Sequence, residues 1–246
     1  MNTNALQLGT FLSIGSPAIA ELAAESGFDW VLIDLEHGCE SDGSLPHQLR
    51  ALRGSRTKAI VRVGAPHAEL ISRVLDWGAD GIMVPHVNSA AEAEAIVQAA
   101  HYAPRGHRGF SRTVRAYGYG LRPPGDKMPM PLLMAQIESV VGVTHAAEIA
   151  RVEGVDVLFV GPADLQFDLQ HQPAADWDYA ACLRSVVTAT QTAGKAAGIL
   201  VRELTDLHSH VDLGFTHVAV DSDLSILRNA YRQVLSHVGQ SLLRRR

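Results

Sequence analysis

Short apolar runs alternate with helix-spaced segments along the whole chain, and that alternation leaves few architectures open. The first four strand-like runs are Leu8 to Ile14, Trp30 to Leu35, Ala59 to Val63 and Ile82 to Val87. Four more follow at Leu132 to Ile137, Val155 to Val160, Ala196 to Val201 and His217 to Val220. Helical spacing fills the gaps. One helix opens at Ser16-Pro17, another lies within Gly43 to Arg53, and others run from about His67 to Trp77 and from Ala90 to about His101. Later ones cover Val140 to Ile149, Tyr179 to Ala193, about Leu204 to Val211, and Leu224 to about Leu242. Gly27, Gly78, Gly154, Gly194 and Gly214 each stand shortly before a strand, where a helix-terminating glycine belongs. Eight βα units are the count that closes a (β/α)8 TIM barrel, and 246 residues suit one such domain spanning 1–246. A doubly wound open sheet is the runner-up, but no G-x-G-x-x-G follows the first strand.

Aromatic residues make up only 6% of a chain that is 47% hydrophobic, so an aliphatic core is expected, as parallel strands buried on both faces prefer. A formal charge of −5 gives no reason to expect nucleic acid as a partner. The terminal Arg244 to Arg246 run reads as a solvated tail. Two cysteines, Cys39 and Cys182, are too few for a disulfide framework. With no signal-like segment and no apolar run long enough to span a membrane, the expected setting is cytoplasmic.

In such a barrel chemistry sits at the C-terminal ends of the strands. The runs deliver to that rim Asp34, Glu36 and His37, then Arg62, His86, Gln136, Glu138, Asp164, Asp221 and Asp223. Neighbouring strands lie roughly 4.8 Å apart, so Glu138 and Asp164 can converge on one small cation. Capping of the helices that follow is the competing role for each acid alone. His37 is either a base that titrates near neutral pH or a hydrogen-bonded structural imidazole. Arg62 either pairs with Glu36 inside the barrel or offers a fork of donors to a carboxylate substrate. His86 has no obvious partner and reads as structural. Lys58 and Lys195 precede their strands, and Lys127 lies in a long loop, so no amine stands at the rim for Schiff-base chemistry. Metal activation of a carbonyl is what remains. The long interval Tyr102 to Pro131 is dense in Gly, Pro and Arg. It is either an exposed loop or one whose Arg105, Arg108, Arg112 and Arg115 grip an anion or a neighbouring subunit.

With Asp34-x-Glu36-His37-Gly38, Arg62, Gln136-Ile137-Glu138 and Gly161-Pro162-Ala163-Asp164-Leu165 in order, the chain resembles the HpcH/HpaI aldolases, metal-dependent class II pyruvate aldolases. The likeness runs from about Gly9 to Leu227 and includes Leu75-Asp76-Trp77-Gly78. It implies that Glu138 and Asp164 bind a divalent metal (Mg²⁺, Mn²⁺ or Co²⁺), and that Gln136 and the Ala163 backbone hold the pyruvate part. Arg62 would stabilise the enolate, and His37 would be the base for the 4-hydroxyl, made more basic by Asp76. The implied reaction joins or splits a small 2-oxo acid and an aldehyde, in a hexamer built from three dimers that exchange their last helices. Two departures bear on substrate choice: Gln166 stands where relatives often carry Ser, and Asp221 replaces a Gly. A lyase acting on acyl-CoA thioesters and a non-catalytic 2-oxo-acid binding protein are the alternatives.

Overall fold

The computed structural model describes residues 5–39, 41–122, 124–125, 128–172 and 177–243. Lys127 and the Arg244 to Arg246 run lie outside the described residues. Eight parallel strands close a barrel in chain order: β1 (Gln7–Leu12), β2 (Trp30–Asp34), β3 (Lys58–Arg62) and β4 (Gly81–Val84), then β5 (Leu132–Ile137), β6 (Val157–Val160), β7 (Ala196–Val201) and β8 (His217–Ser222). The last pairs back onto the first. Around them lie α1 (Pro17–Glu25), α2 (Leu45–Ala51), α3 (Ala68–Asp76), α4 (Ala90–Ala100), α5 (Val140–Thr144) and α6 (Ala146–Arg151). These are followed by α7 (Pro162–His171), α8 (Tyr179–Ala193), α9 (Leu207–Leu213) and α10 (Asp223–Leu243). This is the TIM barrel the alternation predicts. None of the described helices is long and apolar enough to cross a membrane.

β5, β7 and α8 keep their predicted bounds, and two helices differ. The helix expected over Val140 to Ile149 is broken at His145, which sits at φ −94°, ψ 5°. Its first turn, VVGVT, is β-branched residues plus one glycine, all poor helix formers. Helix α7 has no counterpart in the sequence reading. It opens on Gly161-Pro162 with proline in its first turn, but only Leu165 is buried, so no apolar stripe marks it.

The apolar core has two layers of different chemistry. Between strands and helices it is aliphatic as expected, with Ile33, Val61, Ile82, Leu133, Leu158 and Ile199 all fully buried. Inside the barrel it is not. Phe11, Trp30 and Phe159 meet there beside Met83 and Met134, with ring centroids 6.1 Å apart and the Trp30 and Phe159 planes at 89°. A low aromatic fraction therefore does not imply an aromatic-free interior, because three of the chain's aromatic residues meet in it. Gly9 makes the room: a Cβ there would come within 2.2 Å of the Trp30 indole.

At the N-terminal end of the barrel, three aspartates that precede strands brace the strand before. Asp29 accepts from the Leu8 N–H at 2.8 Å, Asp80 from Ala59 at 3.0 Å and Asp156 from Leu133 at 2.9 Å. The Tyr102 to Pro131 loop packs against this same end, because it leaves the C-terminus of α4 and returns to the start of β5. It is no free loop. Arg108 binds Asp76 at 2.6 Å and lies over the Tyr102 ring, Arg115 bonds the carbonyls of Trp77 and Leu49, and Arg105 pairs with Glu153 at 3.1 Å.

His217 starts β8 in this buried base. Burial pushes its imidazole from 6.5 down to about 4, against a smaller opposing pull from Asp29. The unfolded chain takes up a proton below pH 6.5 that the folded chain refuses until about pH 4. Its contribution is whole above 6.5 and lost as pH falls, by roughly 3 kcal/mol across that window. Urea unfolding of wild type and His217→Gln at pH 7 and pH 4.5 measures it. The wild type is expected to lose more stability than the variant on acidification, and equal losses would refute this.

Candidate active site

Register brings the first pair together. β2 and β3 align Asp34 with Arg62, and period-two alternation turns both side chains into the top of the barrel above Leu32 and Ile60. Arg62 donates from Nε to Asp34 Oδ1 at 2.9 Å and from Nη2 to Oδ2 at 2.7 Å, while Nη1 stands 3.0 Å from Glu36 Oε2. The expected Arg62–Glu36 contact is present, and Asp34 occupies the fork that was expected to be offered to a substrate carboxylate. The N–H groups of Glu36 and His37 also donate to Asp34, at 3.1 and 3.2 Å, which sets the path of the loop after β2. Burial works to raise the Asp34 carboxyl, but Arg62 and the two backbone donors outweigh it and hold the group below the usual carboxylate range. Arg62 is likewise held above its ordinary value despite burial. Its guanidinium lies 5.4 Å from the centroid of the Phe11 ring, which closes the space beneath it.

Glu138 follows β5 and is buried to 4% exposure. Its Oε1 accepts from the His86 backbone N–H at 2.8 Å and stands 3.0 Å from His86 Nδ1. Its Oε2 accepts from Gln136 Nε2. Burial raises its pKa above the ordinary value. The His86 ring and N–H oppose that, and the charges of Asp164 and Glu36 reinforce it. Asp164, in the first turn of α7, is therefore close enough to act on Glu138 electrostatically, and the two acids stand at the same end of the barrel. His86 Nε2 is also 3.9 Å from Glu36 Oε1, so this imidazole lies between two of the rim carboxylates.

Two observations bear on whether a cation fits. The buried Gln136 Oε1 has no hydrogen-bond partner among the described residues, although a buried amide oxygen is costly to leave unpaired. Gly161 leaves a hollow against the same groups: a Cβ there would approach Glu138 Oε2 to 2.5 Å and Gln136 Nε2 to 2.8 Å. A buried anionic oxygen, an orphaned amide oxygen and a nearby second carboxylate form the hard-oxygen donor set that Mg²⁺ or Mn²⁺ takes, with water and substrate oxygens completing it. Gly161→Ala is expected to lower turnover at least about tenfold and to cost about 1–3 kcal/mol of stability, since its methyl group must displace two buried polar side chains. Steady-state kinetics beside thermal unfolding test this, and wild-type turnover would show that the hollow is unused.

The other predicted residues divide. His37 stands at the rim with its ring 67% exposed and Nε2 3.9 Å from Glu36 Oε2. Ala163 lies in the first turn of α7, whose leading N–H groups have no side-chain cap, so its backbone is free to meet an anion. Asp76 is not beside His37. It ends α3, a helix of nine residues running back to the barrel base, roughly 13 Å from the rim by helix rise alone, and it is bound to Arg108. His86 is the reverse case. It was read as structural for want of a partner, yet it holds Glu138 and adopts a left-handed φ of 54°, strain of the kind found at functional sites. Asp223 spends its carboxylate on the N–H groups of Ser13, Ile14 and Leu224, fixing the loop after β1. Asp221 has φ 53°, the left-handed region that favours glycine. Here the aspartate tolerates it and pairs with Arg202 at 3.1 Å.

Comparison with known proteins points one way. The pattern of the HpcH/HpaI aldolase/citrate lyase family matches residues 7–230. A hydroxypyruvate/pyruvate aldolase from Paraburkholderia phytofirmans is 39% identical over 239 residues, covering 94% of this chain and 92% of its own. A 5-keto-4-deoxy-D-glucarate aldolase from Klebsiella pneumoniae subsp. pneumoniae is 34% identical, with 93% and 91% covered. The crystal structure of an HpcH/HpaI aldolase/citrate lyase family protein from Burkholderia cenocepacia J2315 superposes with a TM-score of 0.90 at 32% identity, with 96% of each chain covered.

Proposed function

The chain belongs to the HpcH/HpaI aldolase/citrate lyase family, and from that premise we propose that it catalyses reversible, metal-dependent aldol cleavage of 4-hydroxy-2-oxo acids. The products are pyruvate or hydroxypyruvate and an aldehyde. The observation that carries this reading is the convergence of Arg62, Glu138 and Asp164 on one end of the barrel, with His37 beside them.

Glu138 and Asp164 would hold the divalent cation, with the Gln136 amide bonded to Glu138 beside them. When bound, a Mg²⁺, Mn²⁺ or Co²⁺ ion supplies Lewis acidity toward the 2-oxo-acid oxygens. The uncapped N–H groups at the start of α7, with Ala163 among them, donate to the substrate carboxylate. In cleavage His37 removes the proton of the 4-hydroxyl, the C3–C4 bond breaks, and its electron pair passes to the pyruvate fragment as an enolate. Arg62 faces that developing charge with its unused N–H groups, already locked in place by Asp34 and Glu36, so little reorganisation is needed. Condensation runs the same proton back from His37. The acid nearest the His37 ring is Glu36, which takes the orienting role that Asp76 cannot reach within one chain.

Leu224, Ile226, Tyr231, Val234, Leu235 and Val238 leave an apolar face exposed along α10, which supports self-association through that helix.

His37→Ala is expected to slow cleavage of a 4-hydroxy-2-oxo acid by about 10² to 10⁴-fold while retaining metal-dependent exchange of the pyruvate methyl protons. Coupled spectrophotometry and NMR exchange measure the two. Unchanged cleavage by the variant would remove His37 from the mechanism. Turnover of malyl-CoA but of no free 4-hydroxy-2-oxo acid would move the chain to the thioester-lyase reading.

A further inference from the structure

At the base of the barrel, away from the carboxylate rim, lies a cavity of about 630 Å³. It opens between the stretch joining α2 to β3 and the 3-10 turn Arg115–Gly120. Its wall carries Arg50, Arg53, Arg115, Arg122 and Lys58. Asp80 is the one acid among its described lining residues, and it is already committed to the Lys58 ammonium and the Ala59 N–H, each at 3.0 Å.

Four guanidinium groups are thus gathered with no counter-charge left over among the described residues, in a chain that carries 26 acidic residues and a net charge of −5. Arg50, Arg53 and Arg122 make no ion pair among the described residues. Arg115 is the anchored member. Its Nη1 and Nη2 donate to the carbonyls of Trp77 and Leu49, neutral partners that orient it without discharging it. Burial lowers the Arg115 pKa; Tyr119 opposes this, and the positive charges of Arg50, Arg53 and Arg122 each add a smaller push in the same direction as burial. Like charges this close are unfavourable unless something of opposite sign joins them.

The chemistry of that something follows from the donors. Guanidinium forks match phosphate oxygens in pairs, and several forks around one hollow suit a compact anion of multiple charge. Beside them the cavity presents Leu49, Leu52, Leu121 and the Tyr119 ring, the last largely exposed on a left-handed backbone at φ 59°. An apolar and aromatic shelf next to a cationic cluster suits an anion that carries a flat organic body.

We propose that this basal cavity binds a small anion bearing a diphosphate group, either free or carried on a nucleoside, at a site separate from the aldol chemistry. Titration calorimetry of the full chain with inorganic pyrophosphate and with ADP, in EDTA to exclude metal-bridged binding, tests it. One saturable site per chain is expected, weakening as NaCl is raised. Arg53→Glu/Arg122→Glu replaces two exposed residues remote from the rim, so thermal unfolding and basal turnover should hold while affinity falls at least about tenfold. Arg53→Gln/Arg122→Gln should fall between. Equal affinity for the two ligands assigns the diphosphate alone. Tighter ADP binding that Tyr119→Ala returns to the pyrophosphate value assigns a nucleotide. Absence of saturable binding by both ligands, or affinity unchanged in the charge-reversed variant, overturns the proposal. So does a change of oligomeric mass in that variant without ligand binding in the wild type, which assigns the cluster to an interface between copies.

Discussion

Arg62→Ala is expected to cut turnover of 4-hydroxy-2-oxo acids by about 10³-fold, because it removes donors aimed at charge that develops only as the C–C bond breaks. The same change strips Asp34 of its two-point partner and Glu36 of a contact at 3.0 Å. Breaking a buried pair by deleting one member costs roughly 3–5 kcal/mol, so the variant should also unfold more easily. The pH dependence separates this from a simple packing loss. In the wild type Asp34 is held below its ordinary 3.8, so its contribution is present above that value and is lost as pH falls through the depressed one. Without Arg62, burial dominates and raises Asp34. Its neutral form then favours the folded state, and stability is lost as pH rises above about 3.8. Acidification from pH 7 should therefore narrow the stability gap between wild type and Arg62→Ala. Urea titrations at several pH values measure this, and a gap that widens in acid would refute the assignment. Arg62→Lys keeps the charge but not the fork, and should recover more stability than turnover.

What the sequence discloses and what it hides follow from how local each signal is. β5, β7 and α8 were legible because their apolar spacing and bounding residues lie within a dozen positions. The rim residues Asp34, Arg62 and Gln136 could be placed because alternation in a strand fixes which side chains enter the barrel. His86 escaped because its meaning is tertiary: its N–H and ring meet a carboxylate 52 residues away, and nothing in Val84-Pro85-His86 announces the left-handed backbone. Asp76 fails for the opposite reason. A helix that follows a barrel strand must return to the base, so its last turn cannot serve the rim of its own chain. That geometry was available from the order of elements, and the resemblance alone carried Asp76 into the site. Composition leaves the long loop open between exposure and anion binding. Arg105 and Arg108 pair with acids of the chain, whereas Arg115 meets only carbonyls and Arg122 makes no ion pair among the described residues.

Glu138→Gln is expected to abolish measurable aldol turnover and, in the absence of divalent metal, to stabilise the fold. The two effects have different origins. A buried carboxylate raised above its ordinary 4.5 costs the folded state free energy at neutral pH, with that cost absent below 4.5 and growing as pH rises through the raised value. Glutamine removes the charge but keeps the shape, and its amide oxygen can still accept the His86 N–H. Its amide nitrogen, placed where Oε2 was, can donate to the orphaned Gln136 Oε1 once that amide turns over. That turn exchanges the Gln136 Nε2 contact for one at Oε1, so the expected gain comes from removing the buried charge. A side chain whose loss of charge helps folding and ends catalysis is retained for the chemistry it performs. Thermal unfolding with EDTA and with excess MnCl₂ reads both effects together. The wild type should gain by about 2.7 kcal/mol at a hundredfold excess over Kd, and the variant should gain little. A Glu138→Gln variant that retains turnover, or that still gains stability from Mn²⁺, would place the cation elsewhere. Glu138 would then serve only to hold His86 and Gln136 in place, with no part in catalysis.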